Sequence, residues 1–162
     1  MAEAYHRHID AIYRFCFRLL LNRSAAEDAA AQVFLNLAQR WGQLASRNDV
    51  ELRNWLYGEA RNAVRSYLQK TKRHSEAMQE VWRREHQRRD GPKDMEIDPA
   101  ALLAMLKQLK PAQREVMVLR YLEGYSTQET ARILGKSRVA VRVTLMRATR
   151  KARGLLENLL AE

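Results

Sequence analysis

The sequence predicts an all-α protein made of two small helical domains joined by a charged linker. Three observations carry this. Glycine and proline are scarce, 6 and 3 in 162 residues, which disfavours a turn-rich sheet protein. Apolar residues recur at spacings of three and four through most of the chain, the period of an amphipathic helix. That pattern fails between residues 74 and 98, where Met78, Val81, Trp82, Met95 and Ile97 are the large apolar residues in a mostly charged stretch that also holds Asp90-Gly91-Pro92. The domains are therefore read as residues 1–73 and 99–162, with 74–98 as the linker.

The first helix is expected over residues 4–22, with Ile9, Ile12, Tyr13, Cys16, Leu19 and Leu20 on its buried face. Ser24, with Glu27 three residues later, has the form of a capping box and opens a second helix. That helix is expected to run to about Trp41 and to bury Ala30, Val33, Phe34, Leu37 and Trp41. Gly42 to Asp49 is polar and aperiodic, the pattern of a loop. A third helix follows, with Leu52, Trp55, Leu56, Ala60, Ala63, Val64, Tyr67 and Leu68 as its core face and Lys70, Lys72 and Arg73 at its end. Cations there suit the negative end of a helix dipole as well as they suit phosphate.

After the linker, Asp98-Pro99 gives an N-cap followed by proline at the first helical position. Leu102, Leu103, Leu106 and Leu109 predict a short helix. Pro111 starts another, burying Val116, Met117, Leu119 and Leu122 and ending at Gly124. Arg114 and Arg120 fit structural ion pairing as well as ligand contact. Ser126 and Glu129 form a second capping box, Gly135 ends that helix, and Ser137 caps the last one. From there Val141, Leu145, Ala148, Ala152, Leu155 and Leu159 form one continuous stripe.

The opposite face of this last helix carries Val139, Arg142, Val143, Met146, Arg150 and Arg153, with Arg138 and Arg147 at its flanks. Lys136 and Lys151 add to the charge, and no acidic residue lies between Lys136 and Arg153. A short capped helix, a glycine turn and an all-basic helix face together predict a DNA-binding helix-turn-helix. Its cations neutralise phosphates, and its apolar residues suit thymine methyls.

Composition agrees with that partner. The formal charge is +10, which suits a polyanion. Cys16 is the single cysteine; lying among Phe15, Phe17 and Leu19, it is read as a buried thiol. His6, His8, His74 and His86 have no metal-ligand spacing, so no metal and no cofactor is expected. Glu27-Asp28 lies at a helix start, where dipole stabilisation explains it, and no catalytic constellation accompanies it. No apolar run approaches a membrane span, and no signal peptide is seen, so no membrane insertion and a cytoplasmic location are expected.

These residues resemble bacterial RNA polymerase sigma factors of the extracytoplasmic-function type. In the C-terminal half the resemblance lies in Leu109-Lys110-Pro111, Gln113-Arg114-Glu115-Val116, Leu119-Arg120-Tyr121, Glu123-Gly124-Tyr125-Ser126, Glu129, Ala131, Leu134-Gly135, Val141 and Arg147-Ala148. In the N-terminal half it lies in Ala26-Glu27-Asp28, Phe34, Trp55-Leu56-Tyr57 and Ala60-Arg61-Asn62. The resemblance implies a promoter-specificity subunit, not an enzyme, that binds core RNA polymerase and promoter DNA; the family commonly also has an anti-sigma factor.

It implies that Ser126, Thr127, Ser137, Arg138, Val139, Arg142, Val143, Met146, Arg147 and Arg150 meet the minus-thirty-five element. Arg61, Asn62, Arg65, Lys70, Lys72 and Arg73 would meet the minus-ten element, with the 42–49 loop as a pocket for a flipped base. Asp28, Gln32, Leu35, Asn36 and Gln39 would face polymerase. The family often has a Gln–Glu pair where this chain has Ala31-Gln32, and the recognition helix carries Ala140, Val143, Thr144 and Thr149 at positions where the family often differs. The alternative is a stand-alone helix-turn-helix regulator, which leaves the aromatic and basic third helix without a role and usually requires a dimer.

Overall fold

The computed structural model describes the backbone of residues 1–74 and 99–160. The linker expectation from residue 75 onward, and the side chains of Lys72, Arg73 and Leu159, lie outside the described residues. The chain divides into two units, Met1–Asp90 and Gly91–Glu162, and every described regular element is helical.

In the first unit, α1 (Ala2–Leu20) packs on α2 (Arg23–Gln39) and α4 (Asp49–His74), and α2 also packs on α4. Ala25, Ala26, Ala29 and Ala30 are buried along α2, and such small side chains let helix backbones approach closely. Phe15 is fully buried and meets Tyr57 edge to face, with ring centroids 5.0 Å apart, a favoured aromatic geometry. Cys16 is buried beside them, and burial pushes its thiol up to about 12.

Several local expectations shift. The buried face of α1 includes His8 and Phe15, whereas Ile9 and Tyr13 are half-buried. Leu21 takes a left-handed conformation (φ 55°) and Asn22 an extended one, so α2 starts before Ser24, and the Asn22 side chain accepts from the Ala25 N–H at 2.8 Å. Ser24 is thus already inside the helix, and Glu27 instead pairs with Arg23 at 3.1 Å. The stretch read as a loop holds a helical turn, α3 (Trp41–Leu44), held by burial of Leu44; Trp41 itself is half-buried. Asn48 then receives the Glu51 N–H at 2.9 Å and starts α4. On α4, Tyr57 is buried, but Trp55, Ala63 and Tyr67 are half-buried and Leu68 is exposed. These side chains lie toward the edge or outside of the stripe set by Leu52, Leu56, Ala60 and Val64.

The second unit contains α5 (Pro99–Gln108), α6 (Pro111–Met117), α7 (Thr127–Leu134) and α8 (Arg138–Leu160). Leu106, Leu109, Val116, Val118, Leu119 and Tyr125 are buried, whereas Leu102, Leu103 and Leu122 are half-buried. Arg114 donates to the carbonyls of Leu106 (2.8 Å), Leu109 (3.3 Å) and Lys107 (3.4 Å). It thereby satisfies carbonyls at the end of α5, and burial lowers its affinity for the proton. After α6 the backbone widens into a π-helical segment, Val118–Leu122, with Glu123 N–H bonded to the Val118 carbonyl at 3.0 Å. Gly124 follows at φ 72°, and Tyr125 becomes fully buried.

Two measurements test this packing. Cys16 should resist a thiol reagent at pH 8 in the native chain and react on urea unfolding, because the thiolate is the reactive species; rapid native labelling would contradict its burial. The Asp49 carboxyl is held below its ordinary range first by the hydrogen bond from Arg7 (2.8 Å), with His8 Nε2 at 3.5 Å from the same oxygen. Its contribution to stability is present above the ordinary aspartate range and is lost as pH falls through the lowered value. Asp49→Asn should therefore flatten the acid limb of urea-unfolding stability, and added salt should shrink the difference because the pair is exposed.

Candidate nucleic-acid interface

The second unit builds its exposed basic face from caps outward. Ser126 Oγ accepts from the Glu129 N–H at 3.2 Å, and Glu129 Oε2 accepts from the Ser126 N–H at 2.8 Å. This reciprocal pair fixes the start of α7. At its end Gly135 adopts φ 58°, ψ 38°, while Lys136 N–H reaches the Ala131 carbonyl at 2.9 Å. Ser137 Oγ accepts from the Ala140 N–H at 3.1 Å and starts α8. The turn between the helices is thus closed by local hydrogen bonds.

Packing then decides which face of α8 is left to solvent. Val141, Ala148 and Ala152 are buried, with Leu145 and Leu155 half-buried beside them. Opposite them, Val139 is 70% exposed, Met146 56% and Val143 38%. Ser137, Arg138, Arg142, Arg147 and Arg150 are exposed on the same helix or at its cap. Ser126 is exposed and Thr127 half-buried at the start of α7. Lys151, part of the same basic run, instead donates to the Gln108 carbonyl. Tyr121, in the π-helical segment, is 58% exposed and lines an open groove of about 430 Å³ with Arg142, Met146, Arg150 and neighbouring α8 residues. The π-helical segment that carries it has no simple periodic signature.

The first unit presents two further faces. On α4, Asn62, Arg65 and Lys70 are exposed and Arg61 is half-buried. At about 100° per residue, Trp55 lies within about 20° of Asn62 around the helix. Trp55 thus lies on the Asn62 side of α4 and is half-buried, where the sequence placed it in the core. On α2, Asp28, Gln32, Leu35 and Gln39 are exposed and Asn36 is half-buried, all within an arc of roughly 100°. Gln32 and Asn36 are hydrogen-bonded to each other, and Asn36 bonds to Glu59 of α4. Glu59 was not singled out from the sequence, because its partner lies 23 residues away. Among the described residues, no acidic, histidine or cysteine cluster has the arrangement to hold a metal ion, and no helix is long and apolar enough to cross a membrane.

The Sigma-70 region 2 family model matches residues 4–74, and the Sigma-70, region 4 model matches residues 100–151. The chain is 31% identical over 160 residues to the RNA polymerase sigma factor CarQ of Myxococcus xanthus, covering 97% of this chain and 89% of that relative. It is 29% identical over 155 residues to the ECF RNA polymerase sigma factor BldN of Streptomyces coelicolor, covering 94% of this chain and 58% of the relative. The chain thus spans less than two thirds of that relative's length. A chain in the co-crystal structure of the sigma factor RpoE with the anti-sigma factor NepR from Bartonella quintana has the same fold, with TM-score 0.72, 20% identity and coverage of 96% of each chain.

The α7–α8 turn yields a direct test. A methyl group on Gly135 would meet no heavy atom within 4 Å, so Gly135→Ala isolates the cost of its left-handed backbone. It should lower urea-unfolding stability of the second unit by about 1–2 kcal/mol. An unchanged midpoint would mean that the turn relaxes without strain.

Proposed function

The chain belongs to the extracytoplasmic-function type of bacterial RNA polymerase sigma factors, and from that premise we propose that it is a promoter-specificity subunit. It binds core RNA polymerase, directs it to promoter DNA and assists strand opening. The observation that carries this reading is the two-sided character of α8: a buried stripe through Val141 and Ala148, and an outward face of arginines around Val139, Val143 and Met146. We further propose residues 1–73 and 99–162 as its functional domains. The protein acts in the cytoplasm, where transcription occurs, and performs no chemistry of its own. An anti-sigma factor is proposed as a further partner, in line with the complex formed by the related RpoE fold.

In this reading α8 enters the major groove of the minus-thirty-five element. Arg138, Arg142, Arg147 and Arg150 supply phosphate or base-edge contacts, Val139, Val143 and Met146 supply apolar contact, and Ser126, Thr127 and Ser137 hold backbone register. The minus-ten element is met by α4. Asn62 offers donors and an acceptor to an unstacked base, Trp55 offers a stacking face, and Arg61, Arg65, Lys70, Lys72 and Arg73 meet phosphates. Polymerase is met by Asp28, Gln32, Leu35, Asn36 and Gln39 of α2. Strand opening requires bases to leave the stack, a cost that capture by α4 offsets.

Run-off transcription with core polymerase from the source organism tests the whole reading: promoter-specific initiation supports it, and duplex binding without initiation points to a stand-alone regulator. Arg142→Ala should weaken duplex binding at the upstream element by about 1–3 kcal/mol while leaving polymerase binding intact. Asn62→Ala should leave that duplex binding unchanged and reduce permanganate-reactive thymines near the start site. If Asn62→Ala instead abolishes polymerase binding and the assembled enzyme opens DNA normally, the strand-capture surface lies elsewhere.

A further inference from the structure

A short relay of polar side chains crosses from α2 to α4. Gln32 Nε2 donates to Asn36 Oδ1 at 2.9 Å, and Asn36 Nδ2 donates to Glu59 Oε2 at 2.8 Å. Gln32 is exposed, and Asn36 and Glu59 are half-buried. The relay has a direction. An ionised carboxylate only accepts hydrogen bonds, so Glu59 draws the amide nitrogen of Asn36 toward it. Flipping that amide would set its oxygen against the carboxylate. With Asn36 so held, its oxygen faces Gln32, and the Gln32 nitrogen is held in turn. With one of its two N–H groups held by Asn36, the Gln32 amide is fixed in orientation and presents Oε1 as its acceptor beside the second N–H.

The surroundings give this polarity a use. Asp28 lies one turn before Gln32 on the same exposed face, and Leu35 beside them is 52% exposed. A chain with a formal charge of +10 therefore carries here a face with a carboxylate and an oriented amide oxygen around an apolar anchor. We infer that Glu59 is a positioning residue for polymerase docking. It fixes the amide relay so that α2 offers Gln32 Oε1 and Asp28 to a guanidinium or ammonium group on the polymerase surface, with Leu35 as the apolar contact. The inference rests on the proposal that α2 is the polymerase-binding face. It differs from a simple tie between helices, because a tie would not make polymerase affinity depend on an acceptor oxygen at residue 59.

The test uses the fluorescently labelled full chain titrated with core polymerase. Glu59→Ala should weaken binding by about three- to tenfold, the scale of the net contribution of one ordinary hydrogen bond. Glu59→Gln retains an oxygen acceptor and should restore affinity to within about twofold of the native chain. Gln32→Lys should bind more weakly than Gln32→Ala, and Gln32→Glu at least as tightly as the native chain. In side-chain amide NMR spectra, the Gln32 and Asn36 NH2 pairs should shift in Glu59→Ala. Duplex binding at the upstream element should stay within about twofold for all these variants. Leu35→Asp separates the two layers of the argument. If it leaves polymerase affinity unchanged, α2 is not the docking face and that proposal fails. If it weakens binding while Glu59→Ala does not, or while Gln32→Lys and Gln32→Glu bind alike, docking through α2 stands and the positioning role is overturned. Because Gln32 is exposed, the charge pair at that position reports the sign of the facing group, and rescue by Glu59→Gln decides the positioning role even if Glu59→Ala lowers stability.

Discussion

An α-helix leaves four N–H groups at its start and four carbonyls at its end without partners inside it. In short helices such as α5, α6 and α7 those groups are a large share of the backbone, and the ways they are satisfied fix how one helix leads into the next. Here Asn22, Asn48, Ser126 and Ser137 accept N–H groups at helix starts. Arg114 and Lys151 donate to carbonyls at the end of α5. Gly135 turns the chain between α7 and α8 by accepting a left-handed backbone. Without this turn α8 would not bury Val141 and Ala148 while exposing Val139 and Arg142. The basic face is thus a consequence of backbone hydrogen bonding before it is a matter of charge.

The same constraint explains what was legible in the sequence. Ser126 with Glu129, Gly135 and Ser137 are local signals: partner atoms lie within a few residues, so spacing alone identifies them. Asn22 displaced Ser24 as the cap of α2 because Leu21 took a left-handed turn, and leucine does not announce that conformation. The π-helical segment at Val118–Leu122 has no periodic signature, so the exposure of Tyr121 and half-burial of Leu122 were not foreseen. Trp55 was placed in the core as part of the apolar face of the third helix, although its angular position groups it with Asn62 and it is half-buried. The bond from Asn36 to Glu59 joins residues 23 apart, a separation that only tertiary packing can reveal.

The faces differ in how water and salt act on them. The arginines of α8 stand in solvent, where an isolated contact with one counterion gains little. Their collective value comes from a polyanion, which holds condensed counterions that several cations displace together. That contribution carries no sequence information by itself; under the proposed docking, discrimination on the same face would fall to side chains that reach base edges, among them Arg142, and to the apolar groups Val139, Val143 and Met146. A single helix face can therefore supply affinity and selectivity through different atoms.

The α2 face follows the opposite logic. It has few charges, and its polarity is set by orientation: a terminal amide presents a donor or an acceptor according to which way it points. A free glutamine on a helix surface samples both and presents neither consistently. Anchoring the amide through Asn36 to the acceptor-only carboxylate of Glu59 removes that freedom before a partner arrives, which lowers the ordering cost of association. The constraint lies on α4, the helix that also carries Trp55 and Asn62, so the position of α4 bears on both faces. Packing of α1 against α4 through Phe15 and Tyr57 is then more than core stability: it holds the helix from which one face is oriented and the other displayed.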